Sequence, residues 1–415
     1  MNAAEGALEG LRVVEFTQGM AGPWIGRMLA WCGAEVIRVE SRKVPGVVRL
    51  YVSPHEPEAG VQPELSPWLT DWDAGKLFVA LDLKRPLGVA LAERLVARAD
   101  VVIENHRFGA MEKLGLGWQR LRALNPRLIE LSSSGFGDSG LHPHYVSWGP
   151  NIEAMSGIAR LSGFPHRESA TTQYAYPDSL SALHGLFAVL CALWHRERTG
   201  EGQRIALAQL ETCVALLGPE MMEQLATGEA PPRLGNASRQ MAPHGCYPCL
   251  GDDRWCAISV RSDAEWLALG ELDELAPLVR DPRFETLAGR LAARDEIDAA
   301  LAAFTREQEA RALAERLQAL GVAAGVVQDT EEQYLHDPHL AARGFFEAIP
   351  HLRKGEVVAT GIPLGLTGTP GRTTRAGAAV GEDDAHVFRD LLGLSADEYA
   401  RAVADGAIEE PERTR

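Results

Sequence analysis

Short runs of β-branched and apolar residues alternate, in the first half of the chain, with longer stretches whose apolar positions recur at helical spacing. The runs predict strands over residues 8–16, 34–39, 100–104, 128–133 and 204–208. The intervening stretches predict helices that cross from one strand to the next, and strands joined in this way lie parallel in one sheet. The pattern therefore predicts an α/β fold built on a parallel sheet.

The pattern changes after residue 228. Residues 228–242 contain Pro231, Pro232 and Gly235 and are typical of a linker. Beyond the linker, strands are predicted over 255–260 and 322–327, with helices over 290–304 and 307–320. The alternating Glu and Arg residues of those helices indicate a solvated face rather than a binding patch. This part of the chain is predicted to form a smaller α+β domain.

One carboxylate, that of Asp178, stands between a proline turn and a long apolar helix. Pro177 keeps Tyr176 out of helical dihedrals, so the helix is predicted to begin near Asp178 and to run to about Arg198. An aspartate at this position is commonly a helix N-cap. Because the helix is apolar and no cation lies near Asp178 in sequence, a buried carboxylate with a chemical role is the alternative.

Composition and charge narrow the range of functions. Acidic residues outnumber basic ones by 57 to 41, giving a net charge of −16, which argues against a nucleic-acid or anionic-membrane partner. No secretory pattern and no apolar run near the length of a membrane span are found, so a cytoplasmic location is expected. Cys246 and Cys249 have the spacing of a metal or redox pair, but no second pair follows, and no metal is expected.

Polar side chains recur where the predicted strands end. Gln18 follows the first strand, Arg38 and Glu40 close the second, and Asn105 and Arg107 follow the strand at 100–104. Ligands of open α/β sheets bind at the carboxyl ends of strands. Guanidinium groups that recur at this edge favour a phosphate-bearing ligand.

Two glycine-bearing turns lie at the same edge. Gly19 and Gly22, with Glu40 further on, imitate a dinucleotide fingerprint, but the glycine spacing is wrong, so an NAD-type oxidoreductase is kept only as an alternative. The loop 135–140, which includes Gly137, has no Lys and no nucleotide-loop spacing. Its backbone N–H groups are instead expected to stabilise a developing oxyanion.

Longer motifs recur in a fixed order along nearly the whole chain. They include Gly33-Ala-Glu-Val-Ile-Arg-Val-Glu40, Asp100-Val-Val-Ile-Glu-Asn105, Gly135-Phe-Gly137 and Arg198-Thr-Gly-Glu-Gly-Gln203. Together with segments 8–16, 21–23, 75–83, 125–129, 337–344 and 381–383, they resemble the family III CoA-transferases. This group contains formyl-CoA transferase and the carnitine CoA-transferase.

The resemblance implies a reaction and a nucleophile. The substrates would be coenzyme A, brought in as an acyl-CoA, and a free carboxylic acid. The nucleophilic aspartate of the family corresponds to Asp178. In the implied mechanism this carboxylate attacks the thioester, the CoA thiolate then attacks the aspartyl carbonyl, and the resulting aspartyl-CoA thioester passes CoA to the second acid.

The resemblance also implies the other site residues. Gln18 and Gly137 complete the catalytic set. The expected CoA-binding residues are Ala21, Arg38, Lys76, Asn105, Arg107 and Met111. Within that set, Ala21 is expected near the thioester, and Arg38 and Lys76 are expected at the CoA phosphates.

The domain order follows from the same resemblance. Residues 1–215 are expected to form the N-terminal part of a large Rossmann-like CoA-binding domain, 216–330 the linker and small domain, and 331–415 the return to the large domain. Members of the family form interlocked homodimers, and the same assembly is expected here.

Two further alternatives stay open. The α-methylacyl-CoA racemases, a related branch, use a His in the segment after the glycine loop. Residues 147–157 lack one, which argues against racemisation, although His142 and His144 lie just upstream. A CoA-binding protein without activity is the other alternative.

Residues 238–245 show no counterpart of the glycine loop that covers the site of formyl-CoA transferase, which argues against oxalate and formyl-CoA as substrates.

Overall fold

The chain divides into two compact units in a computed structural model that describes residues 6–51 and 63–410. The large unit comprises Met1–Ile158, Thr171–Met222 and Leu340–Arg415, and the small unit comprises Ala159–Ala170 and Glu223–His339. Residues 159–170, which the sequence analysis leaves in the large domain, therefore belong to the small unit.

Six parallel strands form the central sheet of the large unit. They are β1 Arg12–Phe16, β2 Glu35–Glu40, β3 Leu77–Ala80, β4 Val101–Glu104, β5 Ile129–Ser134 and β6 Arg204–Ala208. Their order is β3-β2-β1-β4-β5-β6. In the register of the sheet, Val14 pairs with Ile37 on one side and with Val102 on the other. The predicted α/β fold with a Rossmann-like parallel sheet is confirmed.

The helices connect these strands and build most of the small unit. In chain order they are α1 Ala21–Trp31, α2 Pro67–Trp72, α3 Pro86–Val96, α4 Ala110–Lys113, α5 Trp118–Leu124, α6 Gly149–Ser156, α7 Ile158–Leu161, α8 Tyr176–Thr199, α9 Gln209–Leu216, α10 Gly218–Thr227, α11 Asp263–Ala268, α12 Ala276–Val279, α13 Leu287–Ala292, α14 Arg294–Thr305, α15 Ala310–Ala319, α16 Pro338–Ala342 and α17 Ala396–Asp405. The helical stretches between β4 and β5 and after β6 are each broken in two, as α4 and α5 and as α9 and α10. In the first case Gly115 adopts φ 79°, a conformation that ends the helix.

Apolar side chains cover both faces of the sheet, as a buried parallel sheet requires. Val13 faces a cluster that includes α1 and α8, whereas Val14 faces a cluster that includes α3 and α17. Gly185 lies where α8 crosses α1, and a Cβ there would come within 2.7 Å of the Ile25 side chain. The absence of a side chain at Gly185 thus allows α1 and α8 to approach closely.

The small unit has its own sheet and core. Strands β7 His244–Pro248, β8 Trp255–Ser259 and β9 Ala323–Val326 are antiparallel, and a core cluster around Trp266 lies among them and α11–α15. Cys246 is exposed, Cys249 is buried and both are free thiols. Among residues 6–51 and 63–410, no group of His, Cys, Asp and Glu has the arrangement of a metal site. The hairpin of β10 Phe346–His351 and β11 Gly355–Thr360 belongs to the large unit.

The sequence pattern predicts no apolar run of membrane-spanning length, but α8 is such a run. It is the one helix of the described residues that is long and apolar enough to cross a membrane, with a mean hydropathy of 1.3. Its inner face contributes Ala182 and Val189 to the core, and Arg196 pairs with Asp100 at 3.0 Å. These are the contacts of a core helix of the large unit.

Candidate active site

The structure places Asp178 in the first turn of α8. The helix begins at Tyr176, the preceding Ala175 occupies the N-cap position, and no side chain caps the helix. The N-cap interpretation of Asp178 is therefore wrong. Its carboxylate lines a cavity of the large unit together with residues from several other elements.

This cavity, called the main cavity below, has a volume of about 460 Å³. Its walls come from the end of β5, from the segments that follow β1, β2, β4, β5 and β6, and from the start of α8. Because β1 and β4 are neighbours at the point where the strand order reverses, the cavity lies at the switch point of the sheet, where open α/β folds bind ligands.

Three donors face the Asp178 carboxylate and favour its ionised form. They are the backbone N–H of Ala21 at the start of α1, the side chain of Gln209 and the backbone N–H of Asp178 itself. Burial disfavours the charged form more strongly than these donors favour it, and it raises the pKa of Asp178 to about 6. No Lys, Arg or His among the described residues forms an ion pair with it. The carboxylate therefore keeps its electron pairs available for attack once it is ionised.

A glycine opens the space in front of the carboxylate. An added Cβ at Gly149, the first residue of α6, would lie 3.3 Å from Asp178 Oδ2. A larger residue at this position would occupy the volume that a reacting carbonyl group needs. Close approach of a ligand to backbone is a common reason for glycine at a binding site.

Gln18 and Asn105 join the two strand ends at the switch point. The backbone N–H of Gln18 donates to Asn105 Oδ1, and Asn105 Nδ2 donates to the Gln18 carbonyl, both at 2.7 Å. Both residues line the main cavity. The Asn105 carboxamide, however, holds the turn after β1, so its polar atoms already have protein partners.

The buried positions of Arg38 and Lys76 contradict their expected role at the CoA phosphates. Both side chains are 0% exposed. Arg38 Nη1 lies 2.5 Å from Asp73 Oδ2, and Lys76 Nζ lies 2.7 Å from both Asp73 Oδ1 and Glu15 Oε1. A phosphate cannot reach cations that have no exposed surface and are already paired. They serve the site indirectly, because Lys76 also donates to the Pro23 carbonyl at 2.7 Å in the first turn of α1.

The remaining expected residues have different surroundings. Ala21 contributes its N–H to Asp178, as described above. Met111 is 3% exposed and packs in the core, so it is not available to CoA. Gly137, with φ 76°, is absent from the residues that line the main cavity, whereas Ser134 and Gly135 of the same loop are present. The Ser134 hydroxyl donates to the Gly137 carbonyl at 2.9 Å.

A smaller cavity of about 190 Å³, the side cavity, shares Gln18 and His106 with the main cavity. Lys84 lines the side cavity and Arg107 lines the main cavity. Both side chains are exposed, and neither has an ion-pair partner among the described residues. Lys84 and Arg107 are therefore available to bind a phosphate, whereas Arg38 and Lys76 are not.

Sequence reasoning missed Gln209 and Lys84. Gln209 directly follows the strand predicted over 204–208, and Lys84 directly follows the segment 75–83 that takes part in the family resemblance. The same rule of polar residues at strand ends that selected Gln18 and Asn105 would have found both.

The comparisons with known proteins point to one family. Residues 8–384 match CoA-transferase family III. The chain is 34% identical over 401 residues to succinyl-CoA–D-citramalate CoA-transferase of Chloroflexus aurantiacus, covering 97% of this chain and 98% of the relative. It is 32% identical over 384 residues to succinate–glutarate CoA-transferase of Agrobacterium fabrum, covering 92% and 95%. A crystal structure of a CAIB/BAIF family protein from Brucella suis superposes with a TM-score of 0.84 at 30% identity, covering 93% of this chain and 100% of that one.

The chain belongs to the family III CoA-transferases. The predicted enzyme class, a CoA-transferase that moves CoA between an acyl-CoA and an acid, is confirmed. This assignment excludes the alternative of an NAD-type oxidoreductase. The two histidines that kept the racemase alternative open do not support it. His142 stacks on Tyr145 with 4.2 Å between ring centroids, and His144 packs on Phe108 with 5.3 Å between ring centroids. Neither histidine lines the main cavity.

Proposed function

We propose that the enzyme transfers CoA through a covalent aspartyl-CoA thioester on Asp178. The observation that carries this proposal is the chemistry of the main cavity. Among the described residues that line it, Asp178 is the only acid, and neither Cys nor Lys is present. The Ser133 hydroxyl is held by Ser181 at 3.0 Å and the Ser134 hydroxyl by Gly137. Asp178 is thus the side chain best placed for nucleophilic attack.

The proposed exchange conserves charge and protons at each step. An Asp178 oxygen bonds to the acyl carbon, the C–S bond breaks, and CoA leaves as a thiolate. The thiolate then bonds to Cγ of Asp178, and the Cγ–O bond to the acyl group breaks, which releases the first acid as a carboxylate. The second acid repeats both steps in reverse order. Covalent catalysis of this kind divides one difficult exchange into easier ones.

The two cavities give CoA a proposed path. The nucleotide end would occupy the side cavity, and the pantetheine arm would enter the main cavity past Gln18 and His106, which line both. Lys84 and Arg107 would contact the phosphates, since both cations are exposed and have no ion-pair partner among the described residues. An acidic protein that binds a polyanion needs such local positive groups.

The relatives point to dicarboxylic acids as substrates. The two curated relatives described above are named for succinate or succinyl-CoA together with glutarate or D-citramalate. We carry this to the chain as a proposal: a succinyl-CoA-like donor and a short dicarboxylic acceptor. A screen of acyl-CoA donors against mono- and dicarboxylic acceptors tests it, and turnover confined to monocarboxylic acids would contradict it.

A homodimer is proposed from the outer face of α8. Four large apolar residues follow one another at helical spacing on this face and are exposed, namely Leu183, Phe187, Leu190 and Trp194. Contiguous apolar surface on a helix marks an interaction site. A second copy of the chain is the partner that the family resemblance implies.

Intact-mass measurement tests the aspartyl intermediate. Incubation of the enzyme with acyl-CoA in the absence of an acceptor, followed by acid quenching, is expected to give a protein that carries one CoA. The adduct should be absent from Asp178→Ala and present in Asp252→Ala, in which the lost carboxylate is exposed and lies in the small unit. An adduct on Asp178→Ala would refute the assignment.

A further inference from the structure

Gln209 reaches the nucleophile from an independent element. It is the first residue of α9 and follows directly on β6. In the sheet, Ala208 pairs with Ser134 at the end of β5, and the Leu210 N–H donates to the Gly135 carbonyl at 3.0 Å. The junction of β6 and α9 is therefore fixed to the end of β5. Position 209 has little freedom to move relative to the main cavity.

The side chain of Gln209 is directed at the reacting group. It is 9% exposed, lines the main cavity together with Asp178, and favours the ionised form of the Asp178 carboxylate. The Ala21 N–H meets the same carboxylate from the start of α1. Two fixed neutral donors thus meet at one carboxylate, which is the arrangement that stabilises an oxyanion.

We infer that Gln209 is a catalytic residue whose carboxamide, together with the Ala21 N–H, stabilises the oxyanion that forms on Asp178 itself. The inference rests on the proposed aspartyl-CoA path. When the CoA thiolate bonds to Cγ, the carbonyl electron pair moves onto Oδ and returns as the Cγ–O bond to the first acid breaks. The same charge forms when the second acid bonds to Cγ and the thiolate leaves.

A carboxamide suits this role better than an acid or a cation. The exchange begins and ends with a carboxylate and a thioester, so no proton has to be delivered. A carboxamide donates a hydrogen bond without losing its proton. It also leaves Asp178 free of an ion pair, and an ion pair would stabilise the attacking carboxylate before the reaction begins.

This assignment differs from the expectation that the glycine loop 135–140 supplies the donors. Gly137 is absent from the lining of the main cavity, and the Gly135 carbonyl is used to hold α9. In this structure the donors that meet Asp178 come from the β1–α1 and β6–α9 junctions instead.

The test compares CoA loading in single turnover. Gln209→Met keeps the length of the side chain and removes the donor, and its rate of adduct formation is expected to fall by about 10²- to 10³-fold, with little change in the KM for acyl-CoA. The pH at which its loading rate rises should also move to a higher value, because a donor that favours the ionised Asp178 carboxylate is lost. The control is Gln119→Met, which changes an exposed Gln that does not line the main cavity and should leave both quantities unchanged.

The outcomes separate this inference from the proposed function. A folded Gln209→Met that loads CoA at the wild-type rate and with the wild-type pH dependence overturns the inference alone. If that variant does not fold, Gln209→Glu decides: slow loading supports the inference, because a second carboxylate has replaced the donor, and wild-type loading overturns it. A wild-type enzyme that forms no adduct, or an adduct that persists on Asp178→Ala, overturns the proposed function and this inference together.

Discussion

The backbone N–H of Ala21 faces the carboxylate of Asp178 and favours its ionised form, so the first turn of α1 and the first turn of α8 meet at one reactive group. The residues lie far apart in sequence, and the close crossing of the two helices at Gly185 brings their elements together. The start of a helix carries partial positive charge, which favours the ionised carboxylate. Burial opposes ionisation and is the stronger effect here.

The rate of CoA loading should depend on pH through Asp178. Its pKa is raised by burial to about 6, and only the ionised carboxylate attacks a thioester. The single-turnover rate should therefore rise with pH through about 6 and level off above it. The measurement is adduct formation from pH 5 to 8 in buffers of constant ionic strength. A rate that is flat over this range, or falls as the pH increases, would contradict the raised pKa.

Asp178→Asn should stabilise the protein at neutral pH. The folded-state pKa of about 6 lies above the ordinary value of 3.8, so the unfolded chain ionises first, and the wild type loses stability as pH rises from about 4 to 6. The uncharged variant escapes this loss and should gain about 1–3 kcal/mol above pH 7. Urea unfolding at pH 4 and pH 8 measures the difference. An equal effect at both pH values would exclude a charge-burial origin.

Lys76→Met should lower stability rather than CoA affinity alone. Removing this cation leaves Glu15 and Asp73 buried without one of their partners. Breaking a buried ion pair in this way costs about 3–5 kcal/mol. Urea unfolding gives the free energy of unfolding, and kinetics give the KM for acyl-CoA. A variant with wild-type stability and a strongly raised KM would instead restore the role at the phosphates expected from the sequence.

Lys84→Met should raise the KM for acyl-CoA and leave stability nearly unchanged. This exposed side chain lines the side cavity and has no ion-pair partner among the described residues. The stability should change by less than about 0.5 kcal/mol. The KM for acyl-CoA should rise, and its dependence on salt should weaken, because one contact with a phosphate is lost. An unchanged KM would remove the side cavity from the proposed CoA path.

Trp194→Glu should disrupt the proposed dimer. The side chain is 69% exposed at one end of the apolar face of α8, and a charge there opposes burial against a second copy. Light scattering after size exclusion should show a dimer for the wild type and a monomer for the variant. The control is Leu267→Glu in the small unit, where the replaced side chain is 63% exposed. A monomeric wild type, or a variant that remains dimeric, would contradict the proposal.

The sequence predicts the central sheet well because its strands are buried runs between helical stretches. The strand predicted over 204–208 coincides with β6. β7 and the hairpin of β10 and β11 were missed, because they are short antiparallel strands with glycine or proline inside, such as Pro350 in β10. Such strands lack the continuous apolar pattern of a buried parallel strand.

The candidate site was predictable in part. Asp178, Gln18 and Asn105 stand beside turns and strand ends that a pattern can locate, and all three line the main cavity. The misplacement of Arg38 and Lys76 has a tertiary cause. Asp73 lies only three residues from Lys76, but Glu15 and Arg38 are distant from both in sequence, and no local pattern shows that the whole cluster is buried.

Isotope transfer gives the most direct test of the covalent role of Asp178. In the proposed path, the second acid bonds to Cγ through one of its oxygens, and that oxygen stays on Asp178 when CoA departs with the new acyl group. A single turnover with an ¹⁸O-labelled acceptor acid should therefore leave one heavy oxygen in the peptide that contains Asp178. Labelled acyl-CoA product together with an unlabelled Asp178 peptide would show that CoA is transferred without an aspartyl intermediate.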